Sequence, residues 1–152
     1  MPLFGGDGWD SPKLIEIGGE AVEGCFFSNH YSTEDPRPEV QNFVRAYIRK
    51  YKEAPDAMAA LAYDATRLIV LCLNRMQSED PALVSALKAG ASSDKTAVAK
   101  ARAKLRDLLA ATKEFPGVTG VISLDENRNA RKSAVVLQVK DKSYRFMERI
   151  AG

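Results

Sequence analysis

The stretch "PLFGGDGWDSP", residues 2–12, combines the end of a strand, a glycine turn and the start of a helix. Leu3 and Phe4 form a short apolar run that predicts a buried strand, and two glycines end that strand. Ser11 and Pro12 then start a helix, because serine caps a helix well and proline is tolerated at its first position. A strand, a glycine turn and a helix in direct succession indicate an α/β fold.

The turn of this stretch presents a carboxylate and an indole. In open α/β sheets, ligands bind beyond the carboxyl ends of strands, and Asp7 directly follows the first strand. A carboxylate there suits a cationic group such as an amine, and the Trp9 ring suits an apolar wall. The second strand ends at the same kind of position, on His30 and Tyr31. The alternative is that Asp7 only caps the turn, and residue type alone does not separate the two interpretations.

Outward from this stretch, a helical middle lies between strands. Apolar residues recur at helical spacing in two long segments, and capping residues mark two further helices. The run "LIVLCL" makes the second long helix apolar on nearly all sides, so we expect that helix to be central. "GVISL" and a hairpin joined by "KDK" supply strands near the end of the sequence. The predicted helices cover about 38–53, about 56–76, 81–90 and about 95–113, and the later strands cover 120–124, 134–139 and 143–150.

Composition narrows the function classes. The 152 residues suit a single domain, and a net charge of +2 gives no drive toward nucleic acid or membrane surfaces. No apolar run approaches the ~20 residues of a membrane span, and no signal peptide is recognisable, which predicts a cytoplasmic protein or a piece of a longer one. Cys25 and Cys72 lie in apolar runs and are expected to be buried free thiols. His30 is the only histidine and lacks the partners of a catalytic triad or a zinc site, so no catalytic residue, metal site or cofactor is predicted.

Four segments in one order carry a family resemblance. The chain resembles the C-terminal part of the periplasmic ligand-binding proteins of branched-chain amino acid ABC transporters, a type I periplasmic binding protein family that shares its fold with receptor ligand-binding domains. The resemblance covers nearly the whole chain. The segments are "PLFGGDGWDSP" (2–12), "AVEGCFFSNHYS" (21–32), "VQNFVRAYIRKYKEAPDAMAALAYDATRLI" (40–69) and "FPGVTGVISLDENRNA" (115–130).

The resemblance implies a flavodoxin-like α/β fold, a three-layer sheet with helices, that is incomplete relative to the two-lobed family fold. Residues 1–152 would then form a single partial domain. Within it, residues 1–30 and 134–152 would correspond to the C-terminal lobe, and residues 32–132 to the N-terminal lobe.

The resemblance also implies a function. It indicates a non-enzymatic, periplasmic solute-binding protein that holds a small amino-acid-like ligand between its lobes and delivers it to an ABC permease. Asp7 matches the acidic residue that receives the ligand's α-ammonium group, and Trp9, His30, Tyr31 and Tyr63 complete the predicted ligand-binding set. Other hypotheses are a ligand-sensing domain of a receptor or regulator on the same fold, and a small cytoplasmic enzyme.

The resemblance leads to two further expectations, one about association and one about turns. Unpaired sheet edges and the apolar second long helix predict a homo-oligomer or a complex with a complementing chain. Arg128 and Lys142 stand where the family commonly has turn glycines. Because a positive φ costs a residue that carries a Cβ atom, rearranged turns are expected at both positions.

Overall fold

The computed structural model describes residues 1–92 and 94–152. In this part of the chain, short 3₁₀ helices at Asp7–Trp9, Gly19–Val22 and Gly90–Ser92 accompany five α-helices and seven strands. The α-helices are α1 (Pro12–Gly18), α2 (Pro38–Tyr51), α3 (Ala57–Glu79), α4 (Pro81–Ala89) and α5 (Lys95–Ala110). The strands are β1 (Phe4–Gly5), β2 (Phe26–Asn29), β3 (Phe115–Gly117), β4 (Gly120–Leu124), β5 (Ala130–Arg131), β6 (Ala134–Lys140) and β7 (Ser143–Ile150). The mixture confirms the predicted α/β class.

The chain divides into two compact units, and the boundary falls inside α3. Unit 1 comprises Met1–Ala62, Pro116–Val121 and Lys132–Gly152. Unit 2 comprises Tyr63–Phe115 and Ile122–Arg131. The assignment of residues to two family lobes remains a prediction.

Unit 1 is built on a four-stranded sheet in the order β1-β2-β6-β7. β1 and β2 run parallel, whereas β6 is antiparallel to both β2 and β7. Every second residue of β6 is buried, which is the two-residue period of a strand with one covered face. Val135, Leu137 and Val139 thus pack with Phe27 in one core cluster, which Trp9 and residues of α1 cover.

A second core cluster of unit 1 forms around α2. Val40, Phe43 and Val44 face inward at the i, i+3, i+4 spacing that the sequence predicts. They contact the start of α3 and the ring of Tyr31, which meets Phe43 edge-on at a centroid distance of 5.9 Å. The residue after β2 is therefore held in the core.

Unit 2 contains a helical cluster and part of a small sheet. Met76 of α3 packs with Val84 of α4 and Ala101 of α5. Asp80 and Asp94 cap α4 and α5 through their side chains, as predicted. The small sheet has the order β3-β4-β5, and β4 pairs antiparallel with β5.

The expectation of a central α3 is wrong. Ile69, Val70 and Leu71 are 42%, 47% and 54% exposed, whereas Cys72 and Met76 are buried. Only one stripe of the helix therefore packs in the described residues, because α4 and α5 approach from one side. Both cysteines are buried and free, as predicted.

By length and composition alone, α3 passes the criterion for a membrane-spanning helix, with a mean hydropathy of 1.3. This differs from the expectation that no segment would come close to that criterion. The core helix of a soluble protein meets the same length and hydropathy limits, so one such helix is weak evidence of a membrane span. The criterion alone therefore assigns no membrane to the chain.

The expectation of rearranged turns is also wrong. Arg128 and Lys142 keep positive φ values of 68° and 55°. In the first turn, the Asp125 carboxylate accepts hydrogen bonds from the backbone amides of Asn127 and Asn129, which fixes the loop around Arg128. In the second, the two residues between β6 and β7 both have positive φ, as the twist of a tight hairpin requires.

Candidate functional site

The end of β1 is shaped by the contact of a glycine with an indole. A Cβ atom on Gly5 would lie 2.3 Å from Cδ2 of Trp9, so only glycine lets the ring approach the strand. Trp9 is half-buried and tilts against Phe27 at a centroid distance of 6.3 Å. Cβ atoms on Gly6 and Gly8 would meet nothing within 4 Å. Trp9 thus anchors the turn, and the backbone on both sides of Asp7 borders open space.

Asp7 and His30 meet at this end of the sheet. Asp7 Oδ2 lies 3.1 Å from His30 Nε2, and the two side chains are 64% and 38% exposed. Asp7 follows β1 and His30 follows β2, so the parallel pairing of these strands brings them to one edge. The expected proximity of an exposed Asp7 to His30 is confirmed, whereas a ligand-binding role for either residue remains a prediction.

Lys132 contacts the other ring nitrogen of His30. Its Nζ lies 3.2 Å from His30 Nδ1 and 3.4 Å from the carbonyl oxygen of Thr119. An ammonium group can only donate hydrogen bonds, so Nδ1 accepts from Lys132. In the neutral imidazole, Nε2 then carries the proton and donates a hydrogen bond to Asp7 Oδ2. We call Asp7, His30 and Lys132 the polar row.

The polar row leaves one carboxylate oxygen available. Asp7 Oδ2 accepts from His30, and Oδ1 has no hydrogen-bond partner among the described residues. An exposed carboxylate with a free oxygen and an oriented neighbour suits an ammonium group, which brings up to three donors. Within residues 1–92 and 94–152, no group of three or more His, Cys, Asp or Glu side chains is arranged to hold a metal ion.

The other predicted site residues lie in different surroundings. Tyr31 is only 3% exposed, and its hydroxyl has no hydrogen-bond partner in the described protein. Burial raises the pKa of Tyr31, and the charges of Asp10, Asp35 and Asp56 raise it further. Tyr63 belongs to unit 2, where its ring lies 5.5 Å from Arg67 Cζ. Of the predicted set, the structure therefore joins Asp7 with His30 and places Trp9 and Tyr31 against the two core clusters of unit 1.

A buried carboxylate fixes the segment that follows His30. Asp35 is 1% exposed, and its carboxylate binds the guanidinium groups of Arg37 and Arg149. Burial alone would raise the pKa of Asp35, but hydrogen bonds from the Arg37 amide and from Arg149 outweigh burial and hold the pKa below its ordinary value. Arg37 also donates to the carbonyl oxygen of Val118. These bonds fix the segment that joins β2 to α2.

Two further residues of this region, Lys132 and Asp10, were not predicted from the sequence. Lys132 reaches His30 across 102 residues, and Asp10 accepts a hydrogen bond from the amide of Ala57 across 47 residues. Neither residue belongs to a local sequence motif that indicates a binding or catalytic site. Only the three-dimensional pairing of distant segments identifies them.

Comparisons with known proteins agree on one family. A family profile described as "Periplasmic binding protein" matches residues 1–143. No curated protein matches the chain.

Solved structures of similar fold extend this result. The leucine-binding protein LivK from Thermotoga maritima is 37% identical with a TM-score of 0.74, and the match covers 97% of this chain and 37% of that one. The substrate-binding protein LivJ from Streptococcus pneumoniae, solved with isoleucine, is 26% identical with a TM-score of 0.71, covering 99% of this chain and 37% of that one. An ABC transporter substrate-binding protein from Desulfitobacterium hafniense, solved with leucine, is 26% identical with a TM-score of 0.63, covering 97% and 36%. The chain thus spans little more than a third of the length of these proteins.

Proposed function

Because this chain belongs to the periplasmic binding protein family, whose members bind solutes rather than catalyse reactions, we propose that it forms part of a solute-binding protein of the branched-chain amino acid type. The observation that carries the proposal is the polar row at the end of β1, where Asp7 keeps a carboxylate oxygen free beside His30. Leucine or isoleucine in similar proteins indicates the ligand class.

In this proposal, Asp7 receives the α-ammonium group of a small amino acid. The His30 imidazole, held by Lys132, keeps the carboxylate oriented, so little rotational freedom is lost when the ligand binds. A carboxylate at this position binds the ammonium group more strongly than a neutral acceptor would, because a charge-assisted hydrogen bond is about twice as strong as a neutral one. Trp9 packs against Gly5 and Phe27 and thereby supports the turn that carries Asp7.

The proposal includes a second part of the binding site. The matched structures are almost three times as long as the matched region, so this chain contributes one portion of a ligand cleft. We propose that a complementing chain or a second copy of this chain supplies the rest. In the family-type arrangement, closure of the site over the ligand would then present the complex to an ABC permease outside the cytoplasm.

Calorimetry with a matched pair of ligands tests the role of Asp7. The complete assembly would be titrated with leucine and with 4-methylpentanoate, which is leucine without its amino group. The wild type should bind leucine at least about tenfold more tightly, because one charge-assisted hydrogen bond contributes about 1.5–3 kcal/mol. Asp7→Asn should lose most of this preference.

Asp107→Asn is the matched control, since it removes an exposed carboxylate on α5 whose one ion-pair partner among the described residues is Arg106. It should retain the full preference for leucine. An Asp7→Asn protein that distinguishes the two ligands as well as the wild type does would refute the assigned role.

A further inference from the structure

A cleft of about 490 Å³ lies in unit 1, and none of its lining residues belongs to the polar row. Among its lining residues are three carboxylates and three tyrosines, and no lysine, arginine or histidine lines it among the described residues. We call it the acidic cleft. The six residues that define it are Asp10, Tyr31, Tyr47, Glu53, Asp56 and Tyr144.

The start of α3 fixes two of these carboxylates. Asp10 Oδ2 accepts from the amide of Ala57 at 3.0 Å, and Asp56 Oδ1 accepts from the amide of Ala59 at 2.7 Å. The second oxygen of each carboxylate has no hydrogen-bond partner among the described residues. Two amides of the helix terminus are thus satisfied, and acceptor capacity remains. Glu53 adds a third negative charge to the cleft.

The Tyr31 hydroxyl is an independent sign of a ligand. It is buried and unpartnered, which is uncommon because a buried polar group without a hydrogen bond costs about 1–3 kcal/mol. Burial raises the pKa of Tyr31, and the charges of Asp10, Asp35 and Asp56 raise it further. Tyr31 lines the cleft together with Asp10 and Asp56. The Tyr144 hydroxyl differs, because it lies 2.7 Å from the carbonyl oxygen of Ser11 and donates to it.

We propose that the acidic cleft binds an organic cation, a primary alkylammonium group, between Asp10, Asp56 and the Tyr31 hydroxyl. An ammonium group offers the three donors that the free carboxylate oxygens and the phenol oxygen can accept. The tyrosine rings provide apolar and cation–π surface for an alkyl stem and its charge. This site shares no residue with the polar row, and it does not depend on the function proposed for Asp7.

A titration followed by NMR tests the proposal on the 152-residue chain. The probe is n-butylammonium chloride at constant ionic strength, and n-butanol is its neutral counterpart. We expect saturable shifts at the backbone amides of Ser32, Thr33 and Ala57 with the cation. The alcohol should produce at least about tenfold weaker binding, because it cannot form charge-assisted hydrogen bonds.

Three variants locate the binding. Asn can still accept the amide hydrogen bonds at both acidic positions, so Asp10→Asn and Asp56→Asn remove charge while keeping the helix start. Each should weaken cation binding about tenfold. Tyr31→Phe should weaken binding several-fold while the chain remains at least as stable to heat, because it deletes an unpaired hydroxyl. Asp107→Asn is the control and should bind the cation like the wild type.

Three results would overturn the proposal. The first is an absence of saturable shifts, and the second is equal affinity for the alcohol and the cation. The third is unchanged cation affinity in the variants. If Asp10→Asn fails to fold, Asp56→Asn and Tyr31→Phe still decide the outcome, because neither residue makes a hydrogen bond to a distant segment.

Discussion

At the scale of single residues, the contact between Gly5 and Trp9 explains why the first strand ends on a glycine. The missing Cβ atom leaves room for the indole, and the indole in turn covers Phe27. The turn that carries Asp7 is therefore positioned by packing as well as by its own backbone. This arrangement can be tested, since Trp9 is the sole tryptophan and reports on its own surroundings.

We expect Gly5→Ala to destabilise unit 1 by about 1–3 kcal/mol, the usual cost of forcing an extra methyl group into a packed site. Urea unfolding followed by Trp9 fluorescence measures the change. The native emission should also shift to longer wavelength as the ring is displaced. Gly6→Ala is the control, because its φ of −101° suits alanine and its Cβ would meet nothing within 4 Å. Equal stability of the two variants would contradict the packing explanation.

The pKa of Asp35, held below its ordinary value by Arg37 and Arg149, makes unit 1 sensitive to acid. Because the folded-state pKa lies below the unfolded value of about 3.9, the carboxylate stabilises the fold above that pH. The stabilisation is lost as the pH falls through the lowered pKa. Asp35→Asn should lower the unfolding free energy at pH 7 by about 3 kcal/mol, since it leaves two arginines without their buried partner.

Urea unfolding at pH 7 and near pH 3 checks both statements. The difference in stability between wild type and Asp35→Asn should narrow at the lower pH. Asp107→Asn, which breaks an exposed ion pair, should change little at either pH. A constant difference across the two pH values would show that the charge of Asp35 is not the cause.

At the scale of elements, the hairpin between β6 and β7 has a turn whose two residues adopt a backbone conformation that is unfavourable for residues with a Cβ atom. Asp141 and Lys142 both adopt positive φ, and the Asp141 amide donates to Glu23 Oε1 at 2.7 Å. The seven-residue β6 pairs with β7 along its whole length, so the pairing outweighs the strain of the turn. A glycine in the turn should relieve this strain and stabilise the chain.

We expect Lys142→Gly to stabilise the chain by about 0.5–1 kcal/mol, because the left-handed conformation costs a residue with a Cβ atom about 1–2 kcal/mol and the greater freedom of glycine in the unfolded state offsets part of that gain. Thermal or urea unfolding measures the change. Lys142→Ala removes the same charge and keeps the Cβ atom, so it should show no comparable gain. A less stable glycine variant would mean that the lysine side chain supports the turn.

The sequence predicts elements whose pattern is local and long. The stripe of Val40, Phe43 and Val44 predicts α2 to within two residues, and Lys52 in the left-handed region ends it. β5 has two residues and is held by pairing with β4, so no periodicity could reveal it. The apolar character of α3 is visible in the sequence, but its exposure is not, because periodicity does not say what covers a helix.

The same distinction applies to the site. Asp7 and His30 were expected to meet because each follows a strand, and adjacent parallel strands end at one edge. Lys132 was not expected, because 102 residues separate it from His30. The acidic cleft likewise joins Asp10 to the start of α3, a pairing that depends on tertiary structure alone.

At the scale of the whole molecule, the exposed apolar surface of α3 bears on the association state. Ile69, Val70 and Leu71 are consecutive, and about half of each is exposed. Contiguous apolar surface of this kind is typical of interaction sites. We expect light scattering at micromolar concentration to give a mass above the 16.7 kDa of one chain.

Val70→Lys combined with Leu71→Lys should reduce that mass toward 16.7 kDa, because charged side chains oppose burial of the patch. Gln77→Lys is the control, since it adds charge at an exposed polar position of the same helix. Its association should match that of the wild type. A stable wild-type monomer would contradict the prediction.

The Asp35–Arg149 bond, which joins residues 114 apart, has a consequence for the order in which the protein folds during its synthesis. β2 leaves the ribosome well before its antiparallel partner β6, since Phe26 pairs with Gln138. At about 5–20 residues per second, roughly 6–20 s pass between synthesis of the two segments. During that interval Phe27 lacks its neighbours Val135, Leu137 and Val139, and β2 has one open edge, so the nascent chain should be prone to association until β6 emerges.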